Sequence, residues 1–233
     1  MIYDLTHFFT ANNGIFFLQN ITVALAAFGA WRMGQACLTT FMSLCWVLGN
    51  FFCIKQATLF GLDVITADVF AIGANMSVTL LHDYFGKREA QKSIIISTCA
   101  VLFFLIMSQF LIWYTPNAFD DTHIHFAALF GIMPRIIFSS LIVSSISLNL
   151  NLMLYQLLRK KPFISTTHVS MVALTVSQFI DTILFSVFAL YGVVHSIIPI
   201  IFFSFSIKCL CIFINIPLIH FCQKLFSNVR HSA

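Results

Sequence analysis

Apolar positions along this chain do not alternate with polar ones but run on in long blocks. Seven stretches, about 14–31, 35–54, 64–82, 93–114, 134–158, 167–191 and 196–221, are predominantly apolar. Each approaches or exceeds the roughly 20 residues a helix needs to cross a bilayer. In lipid the backbone must satisfy its own polar groups, which a helix does within one segment. The pattern therefore predicts an all-α polytopic membrane helix bundle of six to seven transmembrane helices. The third stretch is the most diluted, with Asp68 and Asn75 among Ala67, Ala71, Gly73, Ala74 and Ser77. Small residues let helices approach closely, so this segment reads as a helix enclosed by its neighbours. Pro134 suits the first turn of the fifth helix, and residues 124–133 before it read as a lid-like amphipathic piece. Pro199 and Pro217 predict bends or breaks near the two ends of the last run. No linker, low-complexity tract or internal repeat divides the chain, so residues 1–233 read as a single integral membrane domain.

Composition sharpens the class. The chain is 60% hydrophobic and 9% charged, against about 25% charged in soluble domains. A soluble fold of this size cannot hide that much apolar surface. The net charge of +4 is informative through its distribution and predicts no nucleic-acid partner. Nine of the twelve basic residues fall on one side of the alternating connections: Arg32, Lys87, Arg88, Lys92, Arg159, Lys160, Lys161, Lys224 and Arg230. The other side carries Lys55, while Arg135 and Lys208 lie within apolar runs. Positive residues favour the cytoplasmic side, which predicts the N-terminus outside, the C-terminus inside and an odd number of spans. The N-terminus has no basic region or small-residue cleavage site, so a removable signal peptide is not expected.

The seven cysteines, Cys37, Cys45, Cys53, Cys99, Cys209, Cys211 and Cys222, show no zinc-like spacing and read as packing thiols. His123 and His125 beside Asp120 and Asp121 read as solvated loop residues in preference to metal ligands, and neither a metal nor a cofactor is expected. His82 and Asp83 mark the inner interface. No GxxxxGK[ST] or HExxH occurs, so a nucleotide-binding domain and a zinc protease site are absent from the pattern.

Four charges stand inside the runs: Asp68, Arg135, Asp181 and Lys208. A charge at the bilayer centre costs roughly 2.5–3.5 kcal/mol on insertion scales, and such residues face the bundle interior, pair and mark substrate paths. Counted from the outer ends, the four run from near the surface to about the midplane, and one outward-open cavity accommodates them all. Plain helix-to-helix pairs, Asp181 with Lys208 and Asp68 with Arg135, are the competing explanation. Gln178 and Asp181 are three residues apart and share a helix face. They offer an amide and a carboxylate to a planar polar heterocycle, with phenylalanines to sandwich it. Asn50, Lys55, Thr66 and Asn149 form a second rank of candidates. Lys55 with Asn50 serves equally as a headgroup contact, and Asn149 or Asn151 as an interhelical bond. A pair of aspartates on different spans also admits an intramembrane aspartyl protease, which needs the two carboxyls to share one proton. A transporter, an enzyme of that kind and an assembly subunit are the readings the residues leave.

Five segments narrow them. "LFGLDVITADVFAIG", "YFGKREAQK", "PRIIFSSL", "SQFIDTILF" and "FSIKC", in that order, resemble the queuosine precursor transporters, a vitamin-uptake-like membrane family. The similarity runs from about Asn50 to Leu225, and the first 45 residues match less well. The resemblance implies a small bacterial inner-membrane importer of six or seven helices, similar in fold to the substrate-binding subunits of energy-coupling-factor transporters. It also implies a 7-deazaguanine ligand: the nitrile precursor, the aminomethyl precursor or queuine. Its polar intramembrane positions match Asp68, Arg135, Asp181 and Lys208, with Gln178 at a place where Asn also occurs. A proton, an external ATPase module and metabolic trapping are the three routes it leaves for driving uptake. Import or capture of another small vitamin-like solute is the alternative.

Overall fold

The computed structural model describes residues 11–53, 55–60, 62–160, 165–190 and 197–230. The chain forms α1 (Ala11–Met33), α2 (Gln35–Phe52), a hairpin of β1 (Gln56–Leu59) and β2 (Leu62–Ile65), α3 (Asp68–Phe85), α4 (Lys87–Trp113), α5 (His123–Gly131), α6 (Met133–Arg159), α7 (Thr166–Phe185) and α8 (Ile197–Arg230). A π-helical turn, Ser186–Leu190, extends α7. Single glycines reverse the chain twice, Gly34 between α1 and α2 at φ 109° and Gly86 between α3 and α4 at φ 93°. Only glycine adopts such angles without strain, and the reversals lay consecutive helices antiparallel.

Among the described residues six segments are long and apolar enough to cross a membrane: α1, α2, α4, α5 with α6, α7 with its π turn, and 201–220 of α8. The seventh long helix, α3, is different. Twelve of its 18 residues are buried, and it touches α1, α2, α4, α6, α7 and α8. It is the central helix that its small residues predict. A Cβ on Gly73 would stand 2.7 Å from Val23 Cγ1 and 3.3 Å from Cys45 Sγ, so glycine sets how closely α1 and α2 approach α3.

Polar side chains join the helices. Thr39 bonds Ser93 at 2.7 Å and Ser43 bonds Ser97 at 2.9 Å, and both pairs lie on the α2–α4 seam at four-residue spacing. Asn215 of α8 donates to Asn20 of α1 at 3.3 Å. Asn151 of α6 reaches the Asn75 carbonyl of α3 at 3.4 Å, so of the two asparagines two residues apart it is Asn151 that links helices. The remaining helix faces are apolar and exposed, as at Ile95, Phe103 and Phe202, and suit lipid.

Three details depart from the sequence expectations. The third helix begins at Asp68, because residues 62–65 pair antiparallel with 56–59. The run "KQATLFGLD", read as an outer connection, thus falls largely within a hairpin. Phe60 takes φ 53° at its tip, its N–H bonds Asn13 Oδ1 at 3.0 Å, and Asn12 donates to the Thr58 carbonyl at 3.2 Å. The hairpin is so tied to α1. α8 runs through Pro217 rather than ending there. α6 does open with Pro134 in its first turn, and α5 before it is held by Phe130, buried against Phe51 and Phe104. Asp120 caps α5 by accepting from the backbone N–H groups of Thr122 and His123 at 3.0 and 3.1 Å. Bonds from Thr122 hold its carboxyl below the usual range.

Arg32, Lys87, Arg88, Lys92, Arg159 and Lys160 lie at the end of the bundle away from the hairpin, while Lys55 lies beside the hairpin. Lys161 and the connection at 192–196 fall outside the described residues.

Candidate substrate-binding site

A cavity of about 820 Å³, counted with its mouth, runs into the bundle from the hairpin end. Cys53, Ile65 and Ala67 line its outer part, and Asn75 and Leu148 lie deeper. Asn75 is two turns along α3 from Asp68, roughly 10 Å at 1.5 Å per residue. Helices α2, α3, α6, α7 and α8 all contribute walls.

Its charged centre is built from three helices. Asp68 is the first residue of α3, where unpaired backbone N–H groups and the helix dipole favour a carboxylate. Lys208 and Ser204, four residues apart on α8, present one face to it. Lys208 Nζ donates to Asp181 Oδ2 at 2.7 Å and lies 3.9 Å from Asp68 Oδ1. The Ser204 hydroxyl reaches the two Asp68 oxygens at 3.3 and 3.1 Å. Asp68 and Lys208 are 7% and 5% exposed. One ammonium therefore serves two carboxylates, and the three groups together carry one net negative charge. Buried charges are tolerated when paired and hydrogen-bonded.

Around the charges the lining is mixed. Asn50, Ser140, Ser144, Thr182 and Ser186 supply neutral polar groups, and Trp46 and Phe185 supply aromatic rings. Trp46 Nε1 and Asn75 Oδ1 are buried and have no hydrogen-bond partner among the described residues. An unmet buried donor or acceptor costs about 1–3 kcal/mol. Cys45 and Cys53 also line the cavity. The cysteines with described side chains carry free thiols. No group of three or more metal-ligating side chains occurs among the described residues.

The sequence candidates separate here. Asp68, Asp181, Lys208 and Asn50 come together in the cavity. Arg135 does not line it: its side chain is exposed in the first turn of α6. Of the two pairs in the competing explanation, Asp181 with Lys208 forms, while Asp68 also faces Lys208, because α8 presents that lysine toward the start of α3. Gln178 is fully buried and turned toward α6, donating to Ser147 Oγ at 3.4 Å. It does not share the cavity wall with Asp181, since three helical positions leave them on neighbouring but distinct sectors. Lys55 and Thr66 line an adjoining chamber of about 640 Å³ between α1, the hairpin and α8, which meets the main cavity at Ile65 and Asp68. Asn149 is exposed and bonds back to the Ser145 carbonyl at 2.7 Å. Sequence reasoning missed Ser204, Trp46 and the serines of α6. Ser204 was detectable, since four positions before Lys208 shares its helix face. The expected phenylalanine sandwich reduces to Trp46 and Phe185.

At the opposite end α3 and α6 are joined. Asp83 accepts hydrogen bonds from the Tyr155 hydroxyl and from Arg159, and the Arg159 guanidinium also donates to Tyr155.

A helical bundle of this polarity with a charged internal cavity is a multi-pass membrane protein built to admit a small solute. The model of the family described as "Putative vitamin uptake transporter" matches residues 69–222, and the chain belongs to that family. It is a transporter, not an enzyme; Lys208 occupies the place between the aspartates where a protease dyad would share a proton. The chain is 24% identical over 226 residues to a "Probable queuosine precursor transporter" of Bacillus subtilis (strain 168), covering 94% of this chain and 97% of the relative. No solved structure gives a significant match.

Proposed function

We propose that this transporter imports 7-deazaguanine precursors of queuosine across the inner membrane of a bacterium. The cavity of Asp68, Asp181 and Lys208 is its binding site. The observation that carries the reading is the coincidence in one cavity of two carboxylates, a lysine ammonium and the aromatic side chains of Trp46 and Phe185. A guanine-like edge presents adjacent N–H donors beside a carbonyl acceptor. The Asp181 carboxylate, which pairs with Lys208, accepts the donors, and Asn50, Ser140, Ser144 and Thr182 along the cavity supply complementary polar groups. Flat bases are held by such edge bonds together with aromatic stacking, here against Trp46 or Phe185. The name of the Bacillus subtilis relative supports the same ligand class.

The basic residues at the end away from the hairpin support an orientation with that end inside, the cavity mouth and N-terminus outside and the C-terminus inside. Asp83, Tyr155 and Arg159 then close the inner end while the outer end admits ligand. The family description favours a second reading, a different vitamin-like solute in the same cavity. Complementation separates the two. The chain is expressed in a bacterium that neither makes nor imports queuosine precursors, together with a queuine-using transglycosylase. Queuosine in tRNA after feeding a precursor at low concentration supports the proposal. Its absence with every precursor, despite membrane expression, favours the second reading.

A further inference from the structure

The charge of the cavity discriminates among 7-deazaguanines, an inference that rests on the ligand class proposed above. Its lining holds two carboxylates and one ammonium, and among the described residues no arginine, histidine or second lysine lines it. Arg135 lies off the cavity, and Lys55, exposed at its start, lines only the adjoining chamber. The net negative charge is unevenly shared. Asp181 has the close contact, 2.7 Å from Lys208 Nζ, while Asp68 has that ammonium at 3.9 Å. Its other partner is the Ser204 hydroxyl, which has one proton for two oxygens at 3.1 and 3.3 Å. Asp68 is thus the less neutralised carboxylate, and it sits where the main cavity meets the adjoining chamber.

We propose that the site selects a base bearing a protonated amine arm over one bearing a neutral arm. Asp68 receives the ammonium while Asp181 receives the ring edge. A neutral base leaves one uncompensated negative charge among largely buried groups, an unfavourable state. A cationic arm brings the total to zero and adds a charge-assisted hydrogen bond, about twice as strong as a neutral one.

Two probes that differ only in the arm test this: 7-aminomethyl-7-deazaguanine, a cation, and 7-cyano-7-deazaguanine, which is neutral. Calorimetric titration of the full chain in detergent gives both affinities. The proposal predicts that the amine binds tighter by about tenfold or more, a difference of one decade in Kd being 1.4 kcal/mol. Equal or tighter binding of the nitrile overturns the proposal and leaves the ligand class intact. Failure of both to bind overturns the ligand class, and this inference with it. In Asp68→Asn the cavity is formally neutral, and the ratio of the two affinities is expected to collapse toward one. A ratio unchanged from wild type removes Asp68 from the role.

Discussion

Lys208 on α8 lies 2.7 Å from Asp181 on α7 and 3.9 Å from Asp68 on α3, so a single ammonium ties three helices around the cavity. Removing it leaves two carboxylates with no cation between them. Breaking a buried pair by deleting one partner costs about 3–5 kcal/mol. Lys208→Gln is therefore expected to lower the melting temperature in detergent. Adding Asp181→Asn to Lys208→Gln is expected to recover part of the loss, since it removes one of the uncompensated charges. A double-mutant cycle by thermal unfolding checks it, and strictly additive losses would show that the pair is not coupled.

Gln178 separates packing from binding. It is buried against Ser147, off the cavity wall. Gln178→Met is expected to keep the KM for uptake near that of wild type, with any loss confined to the amount of folded protein. A large rise in KM at unchanged protein level would place the amide in the site after all.

Gly73 sets helix spacing in the bundle. A methyl there would stand 2.7 Å from Val23 Cγ1, and overpacking of this kind costs about 1–3 kcal/mol. Gly73→Ala should lower stability, and the combination with Val23→Ala should restore much of it. Melting curves of the single and double variants decide the point.

At the end of the bundle away from the hairpin, the hydroxyl of Tyr155 and the guanidinium of Arg159 both bind Asp83, joining α6 to α3. In the proposed orientation an importer parts that end to release its cargo. Tyr155→Phe removes one of these bonds, worth about 1.5–3 kcal/mol when the partner is charged, and is expected to favour opening of that end. A cysteine placed at Thr79, between the cavity and this link, reports the change. Its labelling by a membrane-impermeant maleimide in inside-out vesicles should rise in the Tyr155→Phe background.

Much of this arrangement is legible in the sequence, for a physical reason. Long apolar runs leave a helix as the only way to satisfy the backbone in lipid, so α1, α2, α4, α6, α7 and α8 follow from hydropathy. The small residues of α3 announce its central place. The charges of the site stand out because lipid makes each one costly, and Asp68, Asp181 and Lys208 were found that way. What was not legible depends on rotation and on short-range pairing. Helical spacing puts Gln178 and Asp181 on one broad face but cannot show that the cavity edge passes between them. The exposed position of Arg135 depends on where α6 begins relative to α5. Residues 56–65 carry too short a pattern to distinguish a hairpin from a connection, and the tie from Asn13 to Phe60 is a tertiary bond. That Trp46 and Asn75 line the cavity depends on how α2 and α3 turn within the packed structure.

The measurement closest to the central claim is initial-rate uptake of a labelled 7-deazaguanine precursor into cells expressing wild type or Asp181→Asn at matched membrane levels. Asp181 lines the cavity, and Lys208 donates to its carboxylate at 2.7 Å. The account predicts saturable uptake by wild type and a fall to the empty-vector background in the variant. Uptake by Asp181→Asn equal to that of wild type would contradict it.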